Sequence, residues 1–213
     1  MFVREIDLET VDKVVKISQE EIGDVGVVVW DAALVLLKYL EKSANESKIN
    51  LKDKTVVELG AGTGCVGLVA CALGANVMLT DLPEVVPLIQ TNIDNNKNIL
   101  SGTVECFEWN WKAIDSCKHK FTNQIDMVLI SDCIYYKDSL TDLVFAILHL
   151  CSDDTVIYLS YEERTSQDKQ ELVDEFFSLT KDAFHIVNIP HKEQHPEYQS
   201  QDIQLIKMTR KKI

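Results

Sequence analysis

The chain has 213 residues with 46% hydrophobic and 26% charged residues, a near-average composition that excludes a disordered or low-complexity protein. Its 21 basic residues against 34 acidic ones give a net charge of −13. A nucleic-acid backbone would be repelled, so we predict no nucleic-acid partner, whereas a basic or lysine-bearing partner is easier to bind.

The cysteines and the N-terminus indicate a cytoplasmic protein. The six cysteines form no Cys-x-x-Cys pair, and the histidines show no metal-ligand spacing with acids, so we predict neither disulfides nor a metal site. The first residues, MFVREIDLET, carry acids where a signal peptide requires a positive region, and no apolar run approaches a membrane span. We predict an intracellular, reducing location, no membrane contact and a monomer.

The first part of the chain is predicted to differ from the rest. Residues 1–22 form a short N-terminal extension, and residues 23–213 form a single domain, since single α/β units commonly run somewhat past about 200 residues. At the start of this domain, residues 25–30 (VGVVVW) predict a strand that runs into a helix around Asp31.

From residue 55 onward, short apolar runs alternate with helical patterns, which is typical of parallel strands joined by helical crossovers. The predicted strands cover residues 55–60, 76–81, 102–109, 124–132 and 155–161. The predicted helices cover residues 65–74, 83–93, 140–150 and 169–179. Residues 183–190 and 202–208 close the chain as two strands with no helix between them, which indicates an antiparallel final pair.

The loop after the strand at residue 55, ELGAGTGCVG, contains two overlapping glycine patterns. Gly62-x-Gly64-x-x-Gly67 fits the dinucleotide fingerprint, whereas Glu58-x-Gly60-x-Gly62-x-Gly64 fits the loop of S-adenosylmethionine-dependent methyltransferases. The second pattern is favoured because Gly60 falls at the strand end, where the first glycine belongs. A carboxylate at Glu58 would repel a pyrophosphate and attract a cationic sulfonium ligand.

Two further candidate cofactor contacts lie at strand ends, where open α/β sheets bind ligands. Asp81 has the spacing of an acid that accepts hydrogen bonds from ribose hydroxyls, a contact that both candidate cofactors share. Trp109 either stacks on an adenine or packs at the edge of the core, and spacing leaves both alternatives open. Trp111 beside it is assigned to packing.

Five segments, taken in order, carry a resemblance: VVVWDAALVLLKYLE, VVELGAGTGCVGLVA, LTDLPEVVPLIQTNIDNNK, DCIYYKDSL and YEERT. Together they resemble the methyltransferase-21 family of seven-β-strand protein-lysine methyltransferases, over roughly residues 23–210. The resemblance implies an α/β, Rossmann-like class I S-adenosylmethionine-dependent methyltransferase. Its seven-stranded sheet would be mostly parallel with an antiparallel last strand, and helices would cover both faces.

The resemblance also implies a cofactor, a partner and a set of contacts. The cofactor is S-adenosylmethionine, and the partner is a protein substrate: the AAA ATPase valosin-containing protein, trimethylated on a lysine, or another chaperone-like protein or an elongation factor. The predicted cofactor contacts are Trp30, Glu58, Gly60, Ala61, Gly62, Gly64, Asp81, Trp109 and Ser131.

The family's Asp-x-x-Tyr signature falls on Asp132 and Tyr135, which follow an apolar strand where an ordinary loop needs only turn formers. The implied reaction is in-line attack of a neutral lysine amine on the sulfonium methyl group. Since a lysine with a pKa of ~10.4 is neutral only about once in 2,500 molecules at pH 7, desolvation must lower its pKa. Asp132, at an ordinary carboxyl pKa, would orient the lysine rather than deprotonate it, and Tyr135 would form the channel wall. Tyr161 and Glu162 are predicted to lie nearby.

The neighbouring residues receive structural roles. Tyr136 is assigned to covering the sheet edge, and Glu163 and Arg164 are assigned to an ion-paired loop. Three other functions remain open at this point: a nicotinamide-dependent oxidoreductase, a non-catalytic cofactor-binding partner protein, and a small-molecule methyltransferase on the same fold.

Overall fold

The computed structural model describes residues 2–20, 25–164 and 166–212. The strands are β1 (Phe2–Leu8), β2 (Lys13–Gln19), β3 (Thr55–Leu59), β4 (Asn76–Asp81), β5 (Val104–Glu108), β6 (Met127–Ser131), β7 (Val156–Glu162), β8 (Phe184–Asn188) and β9 (Ile203–Arg210). The α-helices are α1 (Asp31–Asn45), α2 (Cys65–Ala72), α3 (Val86–Asn96), α4 (Lys137–Leu150) and α5 (Gln167–Thr180). Short 3₁₀ helices cover Val25–Val27, Trp111–Lys120 and His191–Glu193.

The main sheet of the described chain has seven strands in the order β5-β4-β3-β6-β7-β9-β8. The strands from β5 to β7 are parallel, and β9 runs antiparallel to both of its neighbours. The predicted mostly parallel sheet with an antiparallel last strand is therefore confirmed. The chain leaves the sheet in opposite directions from β3 and β6, which places a topological switch point, and hence a ligand crevice, at their carboxyl ends.

Helices cover both faces of the sheet, as predicted. Alternate side chains of β3 enter different cores because successive residues of a strand point to opposite faces. Val56 packs in the core that includes side chains of α1, α2 and α3. Val57 packs in the core that includes side chains of α4 and α5. No helix in the described ranges is both long and apolar enough to cross a membrane.

The N-terminal segment forms an antiparallel hairpin of β1 and β2, which the sequence pattern did not predict. Its inward side chains, Ile6, Leu8, Val15 and Ile17, belong to the same core as those of α1 and α2. The predicted boundary between residues 22 and 23 lies outside the described residues. The hairpin was missed because its strands are stabilised by contacts with distant helices rather than by a strong local pattern.

Two asparagines of α3 attach this hairpin to the domain. The Asn92 side-chain oxygen accepts a hydrogen bond from the Ser18 backbone N–H at 2.7 Å, and that of Asn96 accepts one from Lys16 at 2.8 Å. The spacing of the two contacts fits both elements. Asn92 and Asn96 are four helical residues apart, a rise of about 6 Å, and Lys16 and Ser18 are two strand residues apart, about 6.6 Å. Asn92 also donates to the carbonyl of Thr63 at 2.9 Å, which connects the hairpin to the glycine loop.

The strand predicted for residues 25–30 is wrong, since Val25–Val27 form a 3₁₀ turn. A β-carbon on Gly62 would come within 2.9 Å of the Gly26 carbonyl oxygen, so this segment lies directly on the glycine loop. Its backbone is also anchored by Gln19, whose side chain accepts a hydrogen bond from Val29 N–H at 2.7 Å. These tertiary contacts override the strand propensity of a valine-rich segment.

Candidate active site

A cavity of about 500 Å³ opens at the carboxyl ends of the parallel strands. Its walls come from the segment before α1, the glycine loop after β3, and the residues that follow β4, β5 and β6. Of the predicted cofactor contacts, seven line it: Trp30, Gly60, Ala61, Gly62, Asp81, Trp109 and Ser131. Residues separated by a hundred positions in the chain are thus brought to one crevice by the parallel sheet.

The glycine loop requires its glycines at two positions. Gly60 and Gly62 have φ angles of 61° and 56°, a left-handed conformation that favours glycine. A β-carbon on Gly60 would lie 2.6 Å from the Cys133 sulfur, and the Trp111 ring lies 3.4 Å from the same point. The loop therefore exposes backbone to the cavity at points where a side chain would not fit.

Asp81 holds this loop in place while facing the cavity. One carboxylate oxygen accepts a hydrogen bond from Gly62 N–H at 2.7 Å, and the other accepts one from Leu82 N–H at 2.7 Å. The side chain thus fixes the backbone of the glycine loop relative to the end of β4. Its position in the cavity wall suits the predicted contact with ribose hydroxyls.

Glu58 and Gly64 lie beneath the loop, outside the cavity lining. Glu58 is only 1% exposed, and it accepts a hydrogen bond from Gly67 N–H at 2.7 Å. Its second oxygen, Oε1, has no hydrogen-bond partner among the described residues. Burial raises the pKa of Glu58 to about 8, the Gly67 N–H acts against this, and the charge of Asp81 adds to it. Gly64 is the left-handed residue that precedes α2.

Two tryptophans and a phenylalanine build the wall after β5. Trp109 is 1% exposed, packs 4.9 Å from the ring of Phe121 and also lines the cavity. Its indole nitrogen has no hydrogen-bond partner among the residues described. Trp111, assigned to packing from the sequence, lines the cavity as well. Packing of Trp109 in the core is therefore shown, and stacking on an adenine stays a prediction.

Trp30 and Ser131 both line the cavity. Trp30 immediately precedes α1 and is 41% exposed, and Ser131 is the last residue of β6. The Ser131 position is paired with Ser160 of β7, so the residues that follow these two strands are neighbours in space. This register brings the Asp-x-x-Tyr segment beside the Tyr-Glu-Glu-Arg segment.

Asp132 is the centre of a charged cluster. Its backbone is left-handed, with φ of 54°, which turns the chain immediately after β6. One carboxylate oxygen accepts a hydrogen bond from Arg164 Nη2 at 2.7 Å, and the other accepts one from Glu162 N–H at 3.3 Å. Burial raises the pKa of Asp132, and the positive charge of Arg164 opposes this effect. Glu162 itself receives a hydrogen bond from Arg164 Nε at 3.1 Å.

The aromatic residues of this region have unequal positions. Tyr135 lines the cavity, with Tyr136 packed against it at 4.7 Å between ring centroids. Tyr136 also lines the cavity and is 51% exposed. Tyr161 is buried against Phe177 on the α5 side and lies outside the cavity lining, and burial raises its pKa to about 12.

Sequence reasoning missed several cavity residues, among them Trp111, Cys133 and Arg164. The Cys133 thiol donates to the Leu59 carbonyl at 3.3 Å, and desolvation raises the pKa of this thiol. Arg164 does belong to an ion-paired loop, as predicted, but its partners include Asp132. The charged triplet Glu162-Glu163-Arg164 at the end of β7 was a signal for this ion pair, because β6 and β7 are parallel neighbours and their carboxyl ends lie side by side.

The residues present fit S-adenosylmethionine. The cavity volume lies in the usual range for small ligands, ~300–1,000 Å³. The glycine loop would allow the ligand to approach its backbone closely. Asp81 suits ribose hydroxyls, and Trp109 supplies an aromatic wall with a buried indole N–H. The carboxylates Asp81 and Asp132 suit a ligand that carries positive charge on sulfur and on an amino group.

Solved structures share this fold. A TehB-like S-adenosylmethionine-dependent methyltransferase from Corynebacterium glutamicum matches with a TM-score of 0.53 at 12% sequence identity, covering 87% of this chain and 90% of that chain. At this identity the match concerns the fold alone. This chain therefore has the fold of the class I S-adenosylmethionine-dependent methyltransferases.

The family is defined by sequence. A family model described as lysine methyltransferase matches residues 9–182. EEF1A lysine methyltransferase 3 of Xenopus tropicalis is 36% identical over 170 residues, covering 76% of this chain and 72% of that protein. Protein N-lysine methyltransferase METTL21A of Mus musculus is 34% identical over 176 residues, covering 80% of this chain and 75% of that protein. The chain belongs to the lysine methyltransferase family, its relatives include METTL21 proteins, and its cofactor is S-adenosylmethionine.

Some relatives are considerably longer than the region that matches this chain. Protein-lysine methyltransferase METTL21E of Mus musculus is 36% identical over 156 residues, which is 72% of this chain but 63% of that protein. The chain therefore spans less than two thirds of the length of this relative.

Proposed function

We propose that this chain is a protein-lysine N-methyltransferase that transfers the methyl group of S-adenosylmethionine to a lysine side chain of another protein. One observation carries the proposal: Asp132 and Tyr135 line the same cavity as the glycine loop Gly60–Gly62, so a lysine nitrogen held by the first pair would lie beside a cofactor held by the loop. Family membership and the names of the relatives support it.

When bound, S-adenosylmethionine supplies a methyl group on a positively charged sulfur. We assign its recognition to the seven predicted contacts that line the cavity. Asp81 would accept hydrogen bonds from the ribose, and Trp109 would face the adenine. The glycine loop would approach the cofactor through its backbone, and Trp30 and Ser131 would contact it from the cavity wall. Glu58 and Gly64 would act from below, by holding the conformation of the loop.

The substrate lysine must lose its proton before it can react. At pH 7 only about one lysine in 2,500 is neutral, which corresponds to about 4.6 kcal/mol. Desolvation beside the rings of Tyr135 and Tyr136 would lower the lysine pKa. Asp132 would orient the nitrogen by accepting a hydrogen bond. Aromatic faces also accept methylated ammonium groups, which would permit more than one round of transfer.

We further propose the AAA ATPase valosin-containing protein as the substrate, trimethylated on one lysine, because the five sequence segments resemble the enzyme that acts on it. The second candidate is elongation factor 1A, favoured by the 36% identity to EEF1A lysine methyltransferase 3. The net charge of −13 suits a lysine-bearing surface in either case. We place the reaction in the cytoplasm, consistent with six free cysteines, and assign it to a monomer.

The test is incubation with tritiated S-adenosylmethionine and a cell extract, beside the purified ATPase and purified elongation factor 1A. We expect label on one of these proteins, lost when its target lysine is changed to arginine. Asp132→Ala and Tyr135→Ala should each reduce transfer at least about tenfold while cofactor binding persists. Label found only in small metabolites, or transfer at the wild-type rate by both variants, would refute the proposal.

A nicotinamide-dependent oxidoreductase makes the opposite prediction about ligands. It requires stabilisation of the fold by NADH and none by S-adenosylmethionine. A thermal-shift comparison of the two ligands therefore separates the two functions. A non-catalytic partner protein would be stabilised by S-adenosylmethionine but would label nothing.

A further inference from the structure

Arg164 lies at the wall of the cavity and makes three contacts there. Its Nη2 is 2.7 Å from Asp132 Oδ2, and its Nε is 3.1 Å from Glu162 Oε2. Its guanidinium carbon lies 4.7 Å from the centroid of the Tyr135 ring. One arginine thus touches both residues of the Asp-x-x-Tyr signature and the acid that ends β7.

A second cation contacts the same aromatic ring. Lys169 Nζ lies 3.6 Å from the Tyr135 ring centroid and donates a hydrogen bond to the Tyr135 carbonyl at 2.6 Å. The carboxylates of Asp132 and Glu162 are therefore matched by two cations within the same cluster. Other titratable groups that line the cavity are Cys65, Asp81, Lys112, Cys133, Tyr136, Asp138 and Asp142.

This balance of charge has a consequence for an incoming lysine. An unpaired carboxylate beside the lysine would favour the ammonium form, which cannot attack a methyl group. A nearby cation has the reverse effect, because it disfavours a second positive charge. Asp132 with Arg164 attached can still accept a hydrogen bond from the amine, since each carboxylate oxygen has more than one acceptor site.

We propose that Arg164 is a positioning residue for the reacting lysine: by binding Asp132 and Glu162 it offsets the negative charge that would otherwise hold the lysine as an ammonium ion. Asp132 is then kept in one orientation, available as a hydrogen-bond acceptor without acting as a full counter-ion. The inference rests on the proposed lysine methyltransferase function.

The test compares Arg164→Gln, which removes the charge, with Arg164→Lys, which retains it. The exposed face of the hairpin offers a control, Lys16→Gln, which also removes one positive charge but lies outside the cavity lining. For each variant, kcat for methyl transfer at saturating protein substrate is measured from pH 6 to 9.5, because the pH dependence of kcat reports the pKa of the bound lysine. A second measurement follows the Asp132 carboxyl carbon by NMR during a pH titration, without cofactor or substrate.

We expect the pH profile of Arg164→Gln to move upward by about one pH unit, the lower end of the effect of a charge within about 4–6 Å. Its kcat should then be about tenfold below wild type at pH 7 and close to wild type at pH 9.5. Arg164→Lys should recover most of this loss, and Lys16→Gln should match wild type. In the titration, the pKa of Asp132 should rise in Arg164→Gln, since the lowering effect of the guanidinium is lost.

The outcomes separate the inference from the function on which it rests. An active wild type with an unshifted Arg164→Gln profile would overturn the inference alone, as would an unchanged Asp132 titration. An equal loss of activity at every pH would do the same, because it would indicate a structural role. Failure of the wild type to label any protein would overturn the proposed function, while the titration would still report on the ion pair.

Discussion

Glu58 provides the most quantitative prediction, because its carboxyl group is buried with a single hydrogen-bond donor. Its pKa rises from an ordinary value of 4.5 to about 8 in the fold. The folded protein therefore binds one proton more than the unfolded chain between these two pH values, and stability must fall as pH rises through that window. Each pKa unit corresponds to about 1.36 kcal/mol, so the whole window corresponds to about 5 kcal/mol.

The perturbation is Glu58→Gln, which keeps an oxygen acceptor for Gly67 N–H but cannot ionise. The free energy of unfolding is measured by urea denaturation at several pH values for both proteins. From pH 5.5 to 8.0, the wild type should lose about 3 kcal/mol relative to Glu58→Gln, from the same conversion. Glu84→Gln controls for the loss of one exposed carboxylate. If the curves of wild type and Glu58→Gln stay parallel across this range, the buried acid is not protonated in the fold and the reasoning is refuted.

Two further substitutions test the loop and the hairpin. Gly60→Ala should raise the Kd for S-adenosylmethionine at least about tenfold, because the left-handed backbone and a β-carbon 2.6 Å from the Cys133 sulfur would strain the loop. Titration calorimetry measures this Kd, and an unchanged value would contradict the prediction. Asn92→Ala should lower the free energy of unfolding by about 3 kcal/mol, because buried backbone groups of Ser18 lose their partner. Asn98→Ala, at an exposed asparagine just after α3, is its control, and an equal effect of the two would contradict the role of Asn92.

The run of parallel strands and the glycine loop could be predicted from local patterns. Parallel strands joined by helices leave their carboxyl ends at one edge of the sheet, so Asp81, Trp109 and Ser131 had to meet there once their strands were recognised. The Asp-x-x-Tyr segment stood out as polar and aromatic residues after an apolar strand, and its role was implied by the family resemblance. Short apolar runs and glycine spacings depend only on neighbouring residues, so a single sequence is enough to identify them.

Other features depend on which distant residues pack together. The 25–30 segment has strand propensity but folds as a 3₁₀ turn because it lies on the glycine loop. Glu58 follows the motif of a ligand-facing acid, yet its carboxyl group points to Gly67 beneath the loop. Tyr161 sits on a strand beside the site, but its side chain enters the α5 core.

Local chain patterns thus specified the class of fold and the edge of the sheet that carries the site, because strand and helix periodicity follow from neighbouring residues. Tertiary packing alone paired Arg164 with Asp132, turned Glu58 away from the cavity and attached the hairpin to α3. These contacts join residues far apart in the chain, and the direction of a side chain at a strand end depends on the turn that follows it. No spacing within one segment encodes that information.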